Sequence, residues 1–320
     1  MRALYFEDYG RMVLKEVPEP IPGPGEVVVR VAACGICGSD LEGYTASPGM
    51  RVRRTPPLLL GHEFAGVVEE GPPEWKGRPV AVNPLVSCGR CSKCREGERH
   101  LCPSRSLIGL NRPGAFAERV AVPVEQLYPL PEGLSLWKGA LAEPLAVALH
   151  AVGLAGPTLG RRALVIGGGA IGFFVAWALV RAGAQVMVAE RNPARRAFLQ
   201  DLGLEAKPGA KGEAFDLVFD AVGSETTRAL GLDRLAEGGT LVLLGLHDNT
   251  IPLPFYPVIL GERRLQGSYT YTGRDFALAV RLVAELPEGL AERRSLEEGP
   301  EAFRALAEER VAWPKVLLMP

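Results

Sequence analysis

No stretch of this chain is long and apolar enough to span a bilayer, so a helical membrane anchor is not expected. An excess of charge of one sign is missing too. The 320 residues carry a formal net charge of −1, which offers a nucleic-acid or anionic-membrane partner no electrostatic hold and points to a small-molecule ligand. The start, Met1 to Tyr9, holds acidic residues and no long apolar run, so it reads as a strand rather than a secretory leader, and a cytoplasmic protein is expected. Side-chain amides are scarce, Asn and Gln totalling eight, and arginine outnumbers lysine 29 to 7. Heat adaptation and a GC-rich genome both produce that bias.

Cysteine is sparse as well, six in all, yet four are clustered as Cys88, Cys91, Cys94 and Cys102. A C-x2-C-x2-C-x7-C spacing on a turn-rich lobe is suited to closing round one metal ion. Four thiolates suit tetrahedral zinc and leave no open position for substrate, so the site is expected to be structural. Iron–sulfur ligation is the nearest alternative, since Pro103 follows the last cysteine. The seven-residue gap and the lack of a second cysteine run speak against it.

The length suits two domains. Residues 1–147 are rich in Gly and Pro with short β-type runs such as Val27–Ala32 and Phe64–Glu69. From 148 the texture changes to alternating strands and helices, which predicts a doubly wound parallel sheet over 148–270. Beyond 271 the pattern gives helices at 275–286 and 300–308 and a closing strand from Lys315. The class is α/β with a second, β-rich domain.

Gly167-Gly-Gly169-Ala-Ile171-Gly172 follows a strand and opens a helix, the context in which a G-x-G-x-x-G run means dinucleotide binding. Gly167 permits the turn, Gly169 the approach of a pyrophosphate, and Gly172 the packing of helix on strand. Glu190 stands at the end of the next strand, where a carboxylate takes the ribose hydroxyls and favours NAD. Arg191 beside it keeps NADP as the alternative. Upstream, Cys34 and Cys37, Gly61-His62-Glu63 and Glu143 form a second set of metal-binding types, three ligands with one position left open being the pattern of a catalytic zinc. A thioredoxin-type pair at Cys34 and Cys37 lacks a matching pattern around it.

Taken in order, G-I-C-G-S-D, G-H-E-x-x-G-x-V, the four-cysteine lobe, E-P-L-A-V-A-L-H-A-V and V-x-G-G-G-x-I-G resemble the zinc-dependent medium-chain dehydrogenases of the alcohol dehydrogenase superfamily. The branch most similar is that of sorbitol, threonine and glucose dehydrogenases. The resemblance implies a GroES-like β-rich catalytic domain from 1–147 and 271–320, a Rossmann domain at 148–270, and an active cleft between them. It implies two zincs per chain: a structural one at the four clustered cysteines and a catalytic one at Cys37, His62 and Glu143. Glu63 would bind directly or through water. It further implies NAD as hydride acceptor, Ser39 as the hydroxyl that passes on the alcohol proton, and a homo-oligomer, tetramer or dimer. Ile171, Val222 and Gly245 complete the candidate cofactor residues. Glu42 stands where the family often has a relay histidine, and the loop from Val68 to Arg78 is short.

The expected activity is oxidation of a secondary alcohol or polyol to the ketone, with an aldose or L-threonine as alternative substrate. A zinc-free quinone reductase would lack both cysteine sets, and a non-catalytic NAD-binding protein would be expected to lose some of Cys37, His62 or Glu143. A zinc-ribbon module for nucleic acid would need a basic face, which Glu96 and Glu98 interrupt. Of the other histidines, His150 is expected to be buried, His100 to lie in a surface turn, and His247 to line the cofactor crevice.

Overall fold

The computed structural model describes residues 1–47 and 53–320. The chain forms two compact units, the first comprising Met1–Ala146, Thr272–Val311 and Lys315–Pro320, the second Val147–Tyr271 with Ala312–Pro314. Among the described residues no helix is long and apolar enough to cross a membrane.

The first unit is built on a seven-stranded sheet in the order Ala291–Ser295, Lys315–Met319, Glu26–Gly35, Glu63–Glu70, Pro79–Val82 and Leu127–Pro129, with Arg119–Pro123 also paired to Glu26–Gly35. The last strand of the chain therefore lies next to one of the first. It runs antiparallel to Glu26–Gly35, with Leu318 opposite Cys34 and Leu317 opposite Gly35. Val27, Val29 and Val31 alternate into a core with Phe64, Val80, Val82, Phe116 and Phe303, as a half-buried sheet requires.

The second unit is a six-stranded, all-parallel sheet in the order Glu205–Lys207, Gln185–Ala189, Arg162–Ile166, Phe215–Asp220, Leu235–Leu243 and Arg264–Gly267. This is the expected doubly wound sheet, and its order reverses at Arg162–Ile166. That central strand reads Arg-Ala-Leu-Val-Ile and buries its last four residues, as a strand covered on both faces must. The helix Ala170–Arg181 packs Phe173, Phe174, Val175 and Leu179 into the interior.

Local chemistry moved two expected boundaries. The helix expected from residue 275 spans Gly273–Leu282, because Thr272 caps it in a reciprocal capping box with Asp275. Its expected tail is a short 3₁₀ turn, Val283–Glu285. Ala312–Pro314 belong to the second unit, where Trp313 packs on Phe198 with ring centroids 6.4 Å apart.

Candidate active site and metal centres

The four-cysteine lobe converges. The sulfurs of Cys88, Cys91, Cys94 and Cys102 all lie within 4.8 Å of one another. Cys91 sits at the N-cap of the short helix Ser92–Arg95, which turns Cys94 inward. The Cys88 and Cys94 sulfurs are 3.9 Å apart, far beyond a disulfide bond, and all six cysteines are free thiols. Backbone N–H groups of Arg90 and Cys91 point at Cys88 and hold its thiol below its ordinary value. Four convergent sulfurs fit a closed zinc site. His100, expected in a surface turn, is instead only 5% exposed, because the 3₁₀ turn Arg99–Leu101 folds its ring inward beside the lobe.

The second group lies in the same unit. Cys37 is the N-cap of the helix Gly38–Tyr44, and Glu63 heads the strand Glu63–Glu70. Gly35 pairs with Glu63 across the two strands, which brings Cys37 close to His62 and Glu63. Donor atoms of the three lie within 4.8 Å of one another. The chain turns into this strand at Gly61, whose φ of +101° suits glycine and where a Cβ would meet the Phe116 nitrogen. Both Glu63 oxygens are buried without a hydrogen bond of good geometry, which fits a carboxylate meant for a metal. Burial, then the neighbouring Glu63 carboxylate, push the Cys37 thiol far up from its ordinary value.

Glu143 stands outside that group of donor atoms. It lies buried in the first turn of the helix Ala142–Leu154, and its charge acts on Cys37 and Lys315. Ser39 donates to Cys37 Sγ at 3.3 Å and accepts from Arg54 Nη2 at 2.8 Å. Glu42 is half-buried on the same short helix. Cys34 is fully buried, and its thiol is pushed well up, chiefly by burial.

Three charged residues around this group escaped the sequence reading. Asp40 is fully buried, 3.2 Å from Arg54 Nε and 3.5 Å from His62 Nδ1, so it can fix the imidazole's orientation. Arg54 is itself 4% exposed. Lys315 forms a buried ion pair with Glu63 and donates to the Ile36 carbonyl at 2.9 Å. Only Asp40 had a local signal, lying three residues beyond Cys37 in G-I-C-G-S-D.

In the second unit the glycine turn takes the expected form. Gly167 has φ +93°, and a Cβ on Gly172 would overlap the Gly167 carbonyl oxygen. A Cβ on Gly169 would meet no atom within 4 Å, so the surface there is open above the N-terminus of Ala170–Arg181. Glu190 is buried beneath the turn, accepting Gly168 N–H at 2.8 Å and Asn192 N–H at 2.7 Å, with Arg195 Nη1 3.6 Å away. Arg191 is exposed beside it, and Ile171 and Gly245 are half-buried. Val222 is 37% exposed just past the end of Phe215–Asp220, and His247 is exposed with Nδ1 3.0 Å from Asp248 Oδ1. A free approach at Gly169, helix N–H groups and a carboxylate at the second strand's end fit a dinucleotide.

Comparison with known proteins agrees with both halves. A family profile described as "Alcohol dehydrogenase GroES-like domain" matches residues 23–132, and one described as "Zinc-binding dehydrogenase" matches 170–285. The chain is 34% identical over 281 residues to a 2-dehydro-3-deoxy-L-galactonate 5-dehydrogenase of Pseudoalteromonas atlantica, covering 82% of this chain and 81% of the relative. It is 34% identical over 270 residues to an L-threonine 3-dehydrogenase of Caldanaerobacter subterraneus, covering 78% and 76%. The crystal structure of galactitol-1-phosphate dehydrogenase from Escherichia coli superposes with a TM-score of 0.91 at 27% identity, covering 100% of each chain.

Proposed function

Since the chain belongs to the zinc-binding medium-chain dehydrogenases of the alcohol dehydrogenase superfamily, in the branch of threonine and polyol dehydrogenases, we propose that it oxidises a secondary hydroxyl of a polyol or sugar acid to the ketone, with NAD as acceptor. It is an NAD(P)-dependent zinc enzyme, and its catalytic zinc ligands on this reading are Cys37, His62 and a glutamate, Glu63 or Glu143. Zinc, when bound, supplies Lewis acidity toward the substrate hydroxyl, and the nicotinamide supplies a hydride acceptor. The observation that carries the reading is the convergence of Cys37, His62 and Glu63 within 4.8 Å in a buried setting, in a chain that also holds the four-sulfur lobe.

The chain's own residues divide the remaining work. Ser39 is the hydroxyl that takes up the alcohol proton, its Oγ oriented by Arg54 on one side and Cys37 on the other. Asp40 faces His62 Nδ1 and leaves Nε2 for the metal. Lys315 offsets the Glu63 charge. Glu190, at the end of its strand, supports NAD through the ribose hydroxyls. A homo-oligomer is supported by the helix Phe255–Leu260, whose Phe255, Tyr256, Ile259 and Leu260 are 64 to 81% exposed.

The test is NAD and NADP reduction against polyols, sugar acids, secondary alcohols, aldoses and L-threonine, on protein whose zinc has been counted by elemental analysis. Two zincs per chain and NAD-linked turnover are expected, and Cys37→Ala should abolish turnover while one zinc remains. Full turnover in metal-replete Cys37→Ala would remove the proposed catalytic centre.

A further inference from the structure

In the second unit, the loop after the strand Leu235–Leu243 is fastened to the helix Glu225–Arg234 largely by one side chain. Arg228 Nη2 donates to the Gly245 carbonyl at 3.2 Å, and Nη1 donates to the Asp248 carbonyl at 2.6 Å. Asp248 returns the contact twice. Its N–H donates to the Gly223 carbonyl at 2.9 Å, and its carboxylate accepts the Glu225 N–H at 2.8 Å. Below them Asp220, fully buried, accepts the Val222 and Gly223 N–H groups at 3.0 and 2.9 Å, while its second oxygen faces Arg228 Nε at 4.0 Å. Gly223 and Gly245 approach so closely that a Cβ on either would overlap the other's backbone.

Two loops at the carboxyl ends of neighbouring strands are thus locked into one surface. Its place in the sheet says what it serves. Order reverses at Arg162–Ile166, and a dinucleotide lies across the strand ends at such a point, with its pyrophosphate on the glycine turn. Glu190 immediately follows the strand Gln185–Ala189 on one side of the turn, so the adenosine ribose belongs there. The nicotinamide half then falls on the other side, over the ends of Phe215–Asp220 and Leu235–Leu243.

We propose that Arg228 is a positioning residue for the nicotinamide half of the cofactor: by holding Gly245 and Asp248 it sets the backbone wall against which that ring lies. The proposal rests on the reading of the chain as an NAD(P) dehydrogenase. The planar guanidinium donates to the two carbonyls from separate nitrogens while its Nε faces the buried carboxylate, a rigid fork that the compact ammonium of lysine does not reproduce.

The experiment compares binding of NADH with binding of ADP-ribose, which lacks the nicotinamide, by calorimetry on the zinc-loaded full-length protein. Arg228→Ala should weaken NADH about tenfold or more, the loss of a hydrogen bond from a charged donor, and leave ADP-ribose within about twofold. Arg228→Lys should fall between wild type and Arg228→Ala. Equal weakening of both ligands would make Arg228 a support of the unit as a whole and overturn the proposal, as would unchanged NADH affinity. If Arg228→Ala does not fold, the same two ligands on Arg228→Lys decide: selective loss of NADH supports the proposal, parallel or absent loss overturns it. Wild-type protein that bound neither ligand would instead overturn the dinucleotide reading itself.

Discussion

Lys315, on the closing strand, and Glu63, at the head of Glu63–Glu70, form an ion pair in which the side chains are 2% and 1% exposed. Burial works against the lysine's charge, yet the Glu63 carboxylate, with smaller help from Cys37 and Glu143, outweighs it and raises the ammonium above its ordinary pKa. The final strand thus supplies the counter-charge for a proposed metal-binding carboxylate. Lys315→Met should cost about 3–5 kcal/mol in denaturant unfolding, because it leaves a buried carboxylate without its partner. Lys315→Met combined with Glu63→Gln should recover part of that loss. A double variant no more stable than the single would mean that the pair's electrostatics are not the source.

The glycine turn separates a packing role from a binding role. A Cβ at Gly172 overlaps the Gly167 carbonyl, whereas one at Gly169 meets nothing within 4 Å. Gly172→Ala should therefore lower the thermal midpoint and weaken NADH together. Gly169→Ala should leave the midpoint within a degree or two of wild type, since a solvent-facing change is worth about ±0.5 kcal/mol, while crowding the pyrophosphate and weakening NADH. Paired melting and binding curves make the comparison. Unaltered NADH affinity in Gly169→Ala would place the pyrophosphate elsewhere.

What could be read from the sequence follows from how local each signal was. The four clustered cysteines, the glycine turn and the motif around Cys37 lie within short spans, so their spacing announced them. Lys315 and Arg54 did not announce their roles, because each acts through a partner that only the fold brings near; Asp40 lay in the motif but its partners Arg54 and His62 did not. His100 was misplaced for a related reason. The turn expected there is present, but it sends Arg99 outward and the imidazole inward. The start of Gly273–Leu282 was legible in principle, since Thr272 and Asp275 have the capping-box spacing.

Acid stability of the first unit should depend on surface carboxylates held low by arginine. Glu69 is drawn below its ordinary value by Arg119, which donates to it at 2.6 Å, and Glu118 by the backbone and side chain of Arg2. A lowered folded-state pKa stabilises above the unfolded value, about 4.3 for glutamate, and that contribution is lost as pH falls through the folded value. Both pairs are largely solvated, so each is worth about 1 kcal/mol or less. Arg119→Ala should lower stability slightly at pH 7 and converge with wild type in strong acid. A constant difference across the whole range would assign the loss to packing rather than charge.

The helix Phe255–Leu260 carries the prediction about assembly. Phe255 is 64% exposed, Tyr256 80%, Ile259 64% and Leu260 81%, an apolar surface that water solvates at a cost. It follows Leu235–Leu243 and precedes Arg264–Gly267, the outermost strand on that side of the parallel sheet. Burying such side chains against a second copy would contribute about 1.5–3 kcal/mol for each one fully covered. Replacing Ile259 with Asp should then shift light-scattering mass toward the monomer while the circular-dichroism spectrum stays that of wild type. Wild-type protein that is monomeric at micromolar concentration, or an Ile259→Asp variant with unchanged mass, would take this face out of the assembly.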